Sequence, residues 1–424
     1  MRIIKRSIAV NKKKKNNIDH NQMSFLEEKS ITEKLVVSES KLDVQKKNIN
    51  KTVPKGELLE YRIKRLLFFM GYFPKTNIIV QTSPDEPNDI VTDLDVYGIY
   101  LHSDFSIKTI WADCKSGAAQ EINRIAWLNG IKEHIKVDDI LFVKGGTKLS
   151  TKIYASRKNI QIVDLSTIAE MQKRFGVEEE DWRIPWNPVI QSQNLKIFKS
   201  ITTPNNITYK KIAKFIHTHY WAQEDNYTRC KQTITALRDL AVVVELPLKE
   251  EQKISIKWAI YQLCGMLTLA MLQICRQIQY FPDKDKEELI NLGLLYGKNS
   301  KAKIEDILKI TNNIAKKTLC NYCVDAKLVA DLPEIKLHQP DYTEAFLNMV
   351  FRIISQPLSY QDILRFMEFA LFQYDLNKEK YCVEELGEIF INPNELIKSE
   401  KTLLHFICHV TGISKDIFIL LSEE

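Results

Sequence analysis

The chain has 424 residues, 45% of them hydrophobic, which predicts two or three packed domains and excludes general disorder. The formal net charge is +6, but residues 1–56 hold 14 Lys and Arg against 6 Asp and Glu, so the remainder sums to −2 and overall charge alone is weak evidence for nucleic-acid binding. Eight irregularly spaced cysteines exclude a disulfide framework and fit free thiols in a reducing, cytoplasmic setting; no secretory signal is visible.

In chain order, residues 1–50 read as a basic, weakly structured tail, with KKKKNN as its densest charge run. From Gly56 the pattern sharpens. Leu59, Ile63, Leu66, Leu67 and Met70 recur at helical spacing, and Gly71 is the stop signal. A short strand over 77–82 precedes the polar loop SPDEPND. Two strands follow, over 92–101 and 106–114. Residues 117–135 read as a helix with Ile122, Ile125, Ala126 and Leu128 as its apolar side. Then come a buried strand over 138–145, a helix over 148–158, a strand over 159–165 and a helix over 166–176 capped by Ser166. The late alternation of strand and helix favours crossover connections and parallel neighbours. The expected result over 51–182 is an α/β domain, a mixed sheet flanked by helices.

Residues 183–206 contain three prolines and few long patterns, and read as a linker. Over 207–424 the apolar spacing is helical throughout with no fixed repeat, predicting an all-α domain of some eight to ten helices. Trp258–Cys275 is mostly apolar but short for a bilayer, so it reads as a buried central helix, and no membrane association is expected. Cys320-Asn-Tyr-Cys323 is a lone CxxC, read as buried thiols rather than a zinc site.

The chemistry concentrates in Thr92–Gly117, TDLDVYGIYLHSDFSIKTIWADCKSG. Alternation on a strand turns Asp113 and Lys115 to one face and Cys114 to the other; Asp93 and Asp95 share a face, with Leu94 and Val96 opposite. Converging carboxylates repel and recruit a divalent cation, and a lysine beside that cation stabilises charge developing on a phosphate. That combination points to metal-dependent phosphodiester cleavage. No GxxxxGK[ST] loop is present, so the chain should not power translocation or strand separation itself.

The order α-β-β-β-α-β, with LEYRIKRLLFFMGY, TDLDVYG and WADCKSG in sequence, resembles the PD-(D/E)xK nuclease superfamily, in its Mrr-like and Holliday-resolvase-like branch. The resemblance runs from about Gly56 to about Ala169. It implies a restriction-endonuclease-like domain over 51–182, followed by the all-α domain. The helix glutamate would be Glu60, the central aspartate Asp95, and the (D/E)xK pair Asp113 and Lys115; Glu57 and Asp93 stay open as alternatives to Glu60 and Asp95. Glu60, Asp95 and Asp113 would bind Mg²⁺, with Mn²⁺ as a substitute, and Lys115 would contact the attacking water or the phosphate. Ser116, Gln120 and Arg124 would touch the nucleic-acid backbone. The implied activity is a deoxyribonuclease in host defence or DNA processing, with DNA as partner and a helical domain for targeting or binding a protein. A homodimer would supply the two sites needed for double-strand cleavage. The alternative is a catalytically silent nucleic-acid-binding or scaffold protein of the same fold.

Overall fold

The computed structural model describes residues 53–422 except 83–88, 116–119, 179, 202–206, 245 and 323–333. The expected basic tail, Ser116 and Cys323 therefore lie outside the described residues. Helix α1, Lys55–Phe69, buries Leu59, Ile63, Leu66 and Leu67 along one stripe. It ends at Met70 and Gly71, whose φ of +98° suits glycine; a Cβ there would also meet the Tyr100 ring at 3.0 Å.

Strands β1 (Phe73–Gln81), β2 (Ile90–Leu101) and β3 (Ile107–Cys114) form an antiparallel meander. Helix α2, Glu121–Ile135, then crosses over, and β4, Asp139–Val143, pairs parallel to β3. Helix α3, Leu149–Ser156, leads to β5, Ile160–Val163, parallel to β4. The outcome is the expected mixed sheet, five strands in the order β1-β2-β3-β4-β5. On one face α1 and α4 (Leu165–Arg174) pack Leu59, Ile63, Leu67 and Ile168 over Val96, Ala112 and Cys114. On the other, α2 packs Ile125, Leu128 and Ile131 over Leu94, Trp111 and Phe142.

Some local expectations change. Ile122 and Ala126 are exposed, and Ile131 takes their place on the buried side of α2. The cap of α4 is Asp164, whose carboxylate accepts the Thr167 N–H at 3.0 Å; Ser166 only donates its hydroxyl to Asp164. The expected linker over 183–206 instead carries a 3₁₀ turn, Ile184–Trp186, and helix α5, Pro188–Ser200. Pro185 and Pro188 sit where helices tolerate them: Asn187 caps α5 by accepting from Val189 and Ile190, and Pro188 starts it without needing an N–H. Trp186, Phe198 and Ile201 are fully buried, so the segment belongs to the core.

Beyond α5 the described residues are helical with no strand: α6 (Ile207–Lys214), α7 (Asn226–Val244), α8 (Glu250–Ile278), α9 (Asp283–Tyr296), α10 (Lys301–Tyr322), α11 (Thr343–Ser355), α12 (Ile363–Ala370), α13 (Val383–Ile389) and α14 (Pro393–Thr411), with shorter turns between. Helix α8 is the one described helix long and apolar enough to cross a membrane, and 94% of its apolar window is buried inside the protein. Tyr220 and Tyr261 anchor on this part of the fold through their hydroxyls, donating to the carbonyls of Met266 (2.6 Å) and Ile417 (2.9 Å). Gly265 lets α8 approach the sheet, because a Cβ there would press on the Phe73 ring at 3.3 Å. Phe68, Phe73, Ile99 and Phe105 of the sheet region share one apolar cluster with Trp186, Leu267 and Phe369. Sheet and helices thus bury a continuous core. Cys320 is exposed, contrary to the buried-thiol expectation, because the helix end that carries it packs against little.

Candidate active site

The site is built where β2 and β3 part. Their ladder runs from Leu101↔Ile107 to Val96↔Ala112 and ends there. Beyond it, the Asp95 carboxylate replaces a strand partner: its Oδ2 accepts the Cys114 N–H at 2.7 Å. The strict alternation expected around Asp95 fails at this departure, with Leu94 packing on the α2 side and Val96 on the α1 side. On its other edge β3 is held by β4, with Asp113↔Phe142 and Cys114↔Val143 in register, and Lys115 N–H donates to the Val143 carbonyl at 3.0 Å. Asp113-Cys114-Lys115 is therefore fixed on one edge by backbone and on the other by Asp95.

Asp113 and Lys115 meet on one face, as the strand period requires, while Cys114 packs under α1. The Lys115 ammonium lies 3.4 Å from Asp113 Oδ1 and 3.7 Å from Asp95 Oδ2. The two aspartates are almost wholly buried and the lysine is about a third exposed, at 37% of its side chain. Asp95, not Asp93, makes this contact; Asp93 is exposed and pairs across to Ile79 on β1.

Glu60 approaches from α1. Burial, then the charges of Asp95, Glu57 and Asp93, push its carboxyl up to about 8, against a smaller opposing pull from Lys115. Asp95 is pushed up to about 6, again by burial first, with Asp113 and Asp93 adding and the Cys114 N–H and Lys115 opposing. Glu60 is thus coupled to Asp95, whereas Glu57 also lines a separate cavity of about 100 Å³ with Tyr61, Lys64 and Lys75. Acids outnumber cations here, and the surplus is met by protons at neutral pH.

Arg124 supplies the largest departure from expectation. It does not stand free on the α2 surface to meet nucleic acid. Its Nε donates to Asp113 Oδ2 at 2.9 Å and a terminal nitrogen donates to Oδ1 at 2.5 Å, a bidentate pair, with the guanidinium 3.9 Å from the Trp127 ring. Gln120 is the exposed N-cap residue of α2 and accepts from the Asn123 amide. The three-carboxylate ligand set expected from sequence is not assembled: among the described residues no three His, Cys, Asp or Glu side chains gather closely enough to hold one metal ion. What does assemble is Asp95, Asp113 and Lys115, with Arg124 on Asp113 and Glu60 coupled by charge. The Arg124 contact was missed in sequence because the turn of α2 that faces the end of β3 is set by packing of Ile125, Leu128 and Ile131 on the sheet. Its available signal was the basic residue one turn inside the helix that follows the DxK strand.

The donor set suits a hard cation in kind, since both aspartates offer only oxygens. It suits one in electrostatics too, because a cation would stabilise the ionised forms of Asp95 and Glu60 that burial first, and neighbouring carboxylates second, disfavour. Compared with protein-family models, with curated proteins and with solved structures, the chain has no match.

Proposed function

We propose that this chain is a Mg²⁺-dependent endonuclease of the PD-(D/E)xK, restriction-endonuclease-like type, hydrolysing phosphodiester bonds in DNA, with Mn²⁺ able to substitute. The observation that carries the reading is the shared reach of Lys115 to Asp95 (3.7 Å) and Asp113 (3.4 Å) from two neighbouring antiparallel strands. The α-β-β-β-α-β order, with β4 parallel to β3, supports it. The helical region would serve targeting or a protein partner, and a homodimer would supply two sites for double-strand cutting. A cytoplasmic setting and a role in host defence or DNA processing go with this reading; the described cysteines are all free thiols.

Asp95 and Asp113 would hold the ion, which would neutralise phosphate charge and lower the pKa of a bound water. The chain's own residues do the rest. The Cys114 N–H and the β4 register fix the two carboxylates. The Lys115 ammonium lies beside both and would meet a phosphate oxygen or the attacking water. Water adds to phosphorus, the P–O ester bond breaks, and the leaving oxygen takes a proton. Glu60, protonated below about pH 8, would in its ionised form take the proton that the attacking water gives up and pass it to solvent, while the leaving oxygen takes its proton from solvent.

A second reading, a non-cleaving nucleic-acid-binding protein, is favoured by one observation: Arg124 occupies both oxygens of Asp113. Incubation with plasmid, single-stranded DNA and RNA, in Mg²⁺ or EDTA, separates the two. Cleavage of DNA that needs Mg²⁺ and disappears in Asp113→Ala is the expected result. Binding without cleavage under all metal conditions would establish the second reading.

A further inference from the structure

Helix α2 does not need Arg124 to stay in place, because Ile125, Leu128 and Ile131 already bury it against the sheet. The Arg124 guanidinium instead reaches Asp113 and uses both of its oxygens. A planar fork on a carboxylate is strong and directional. A divalent cation would draw its oxygens from the same carboxylate. Arg124 and Lys115 already share Oδ1, so an incoming divalent cation would meet two like charges there and compete with the Arg124 fork for both oxygens.

We infer that Arg124 is a latch on the acid cluster: it neutralises and orients Asp113, and a divalent cation binds by displacing it. The inference rests on the metal-dependent reading above. The geometry allows the exchange at small cost. The Arg124 side chain is 25% exposed and lies on Trp127, itself 36% exposed, so the guanidinium can leave Asp113 without repacking the core. Once released it remains beside the site, with donors free for a phosphate oxygen. Arg124 is thus a positioning residue whose charge passes from the protein's own carboxylate to the substrate as the site loads.

The test is Mn²⁺ binding to the full chain by calorimetry, comparing wild type with Arg124→Gln and Arg124→Lys. Arg124→Gln should bind at least about tenfold more tightly, equivalent to about 1.4 kcal/mol. Arg124→Lys, which keeps the charge but not the fork, should fall between. Lys152→Gln removes a like charge that pairs with Asp164 at 2.7 Å and should leave the affinity unchanged. Wild-type fluorescence should change on Mn²⁺ addition, and Trp127→Phe should lose that change while still binding. At saturating Mn²⁺, Arg124→Gln should cleave more slowly despite its tighter site. Melting curves identify any variant that fails to fold, and Arg124→Lys then carries the comparison. Equal Mn²⁺ affinity in wild type, Arg124→Gln and Arg124→Lys, with DNA cleavage intact, overturns the latch and spares the nuclease. Absence of both Mn²⁺ binding and cleavage in wild type and all variants overturns the nuclease, and the latch with it.

Discussion

Two groups of buried charge lie one helical turn apart on α1 and are resolved in opposite ways. Glu60 leads to the acid cluster with Asp95 and Asp113, where carboxylates are in excess and both Glu60 and Asp95 are pushed up. Lys64, four residues on, leads to an ion triad in which Glu368 of α12 lies 3.0 Å from Lys64 and 3.0 Å from Lys75. Burial alone would raise Glu368, but the two ammoniums outweigh it and hold it below the usual carboxylate range. The triad is closed: Lys64 also donates to the Pro185 carbonyl at 2.7 Å and Lys75 to Gln262 at 2.8 Å. It ties α1, β1, α8 and α12 together. The acid cluster balances its surplus only with an exchangeable proton on Glu60, and on physical grounds that marks a place for a ligand rather than a fastening.

The sharpest way to break the comparison is to remove the reactive members of the open cluster. Asp113→Ala and Lys115→Ala should each lower Mg²⁺-dependent DNA cleavage by about 10³-fold. The melting temperature should fall little: Asp113→Ala leaves Arg124 and Lys115, which both reach solvent, and Lys115→Ala leaves Asp113 still paired with Arg124 and Asp95 still accepting from the Cys114 N–H. Full cleavage by both variants would remove these residues from the chemistry.

The closed triad should respond in the opposite sense. Glu368→Ala strands two buried ammoniums and should cost about 3–5 kcal/mol of stability, read from the denaturant midpoint. Cleavage per folded molecule should be retained. Replacing all three members together with Met should restore most of the loss, since removing a whole buried ion group is far cheaper than removing one partner. If Glu368→Ala were silent, the triad would not be the fastening described here.

The sequence made the sheet legible because its signals are local. Period-two alternation located β2 and β3, and the helix between β3 and β4 marked the switch from antiparallel to parallel pairing. The same alternation placed Asp113 and Lys115 on one face, and the structure puts them 3.4 Å apart. What failed were features that depend on contacts between distant residues. Pro185 and Pro188 looked like a linker, yet Trp186 and Phe198 are drawn into a core supplied by residues far along the chain. Leu94 and Val96 split between two faces because Asp95 leaves the ladder to bond Cys114, which no propensity encodes. Lys64 and Lys75 carry no local signal of burial, and their partner Glu368 arrives from about 300 residues away. Arg124 belongs to the same class: its partner Asp113 was singled out in the sequence, but the pairing required the third dimension.

The finest distinction concerns Glu60, where function and stability should pull apart. Its carboxyl is raised from 4.5 to about 8, so the folded state holds this proton more tightly than the unfolded chain does. The stability linked to that proton is fully present below pH 4.5 and is lost as pH rises through about 8. Glu60→Gln keeps the neutral form at every pH. It should therefore be more stable than wild type above pH 8, by about 1–2 kcal/mol once the side chain's partial exposure is discounted. Denaturant melts at pH 5 and pH 9 measure this, and equal differences at the two values would contradict it. Cleavage should move the other way. Ligand and base roles need ionised carboxylates, so wild-type activity should climb with pH as Asp95 ionises near 6 and again as Glu60 ionises near 8. In Glu60→Gln the upper step should vanish while the step near 6 stays, because Asp95 is raised mainly by its own burial rather than by Glu60.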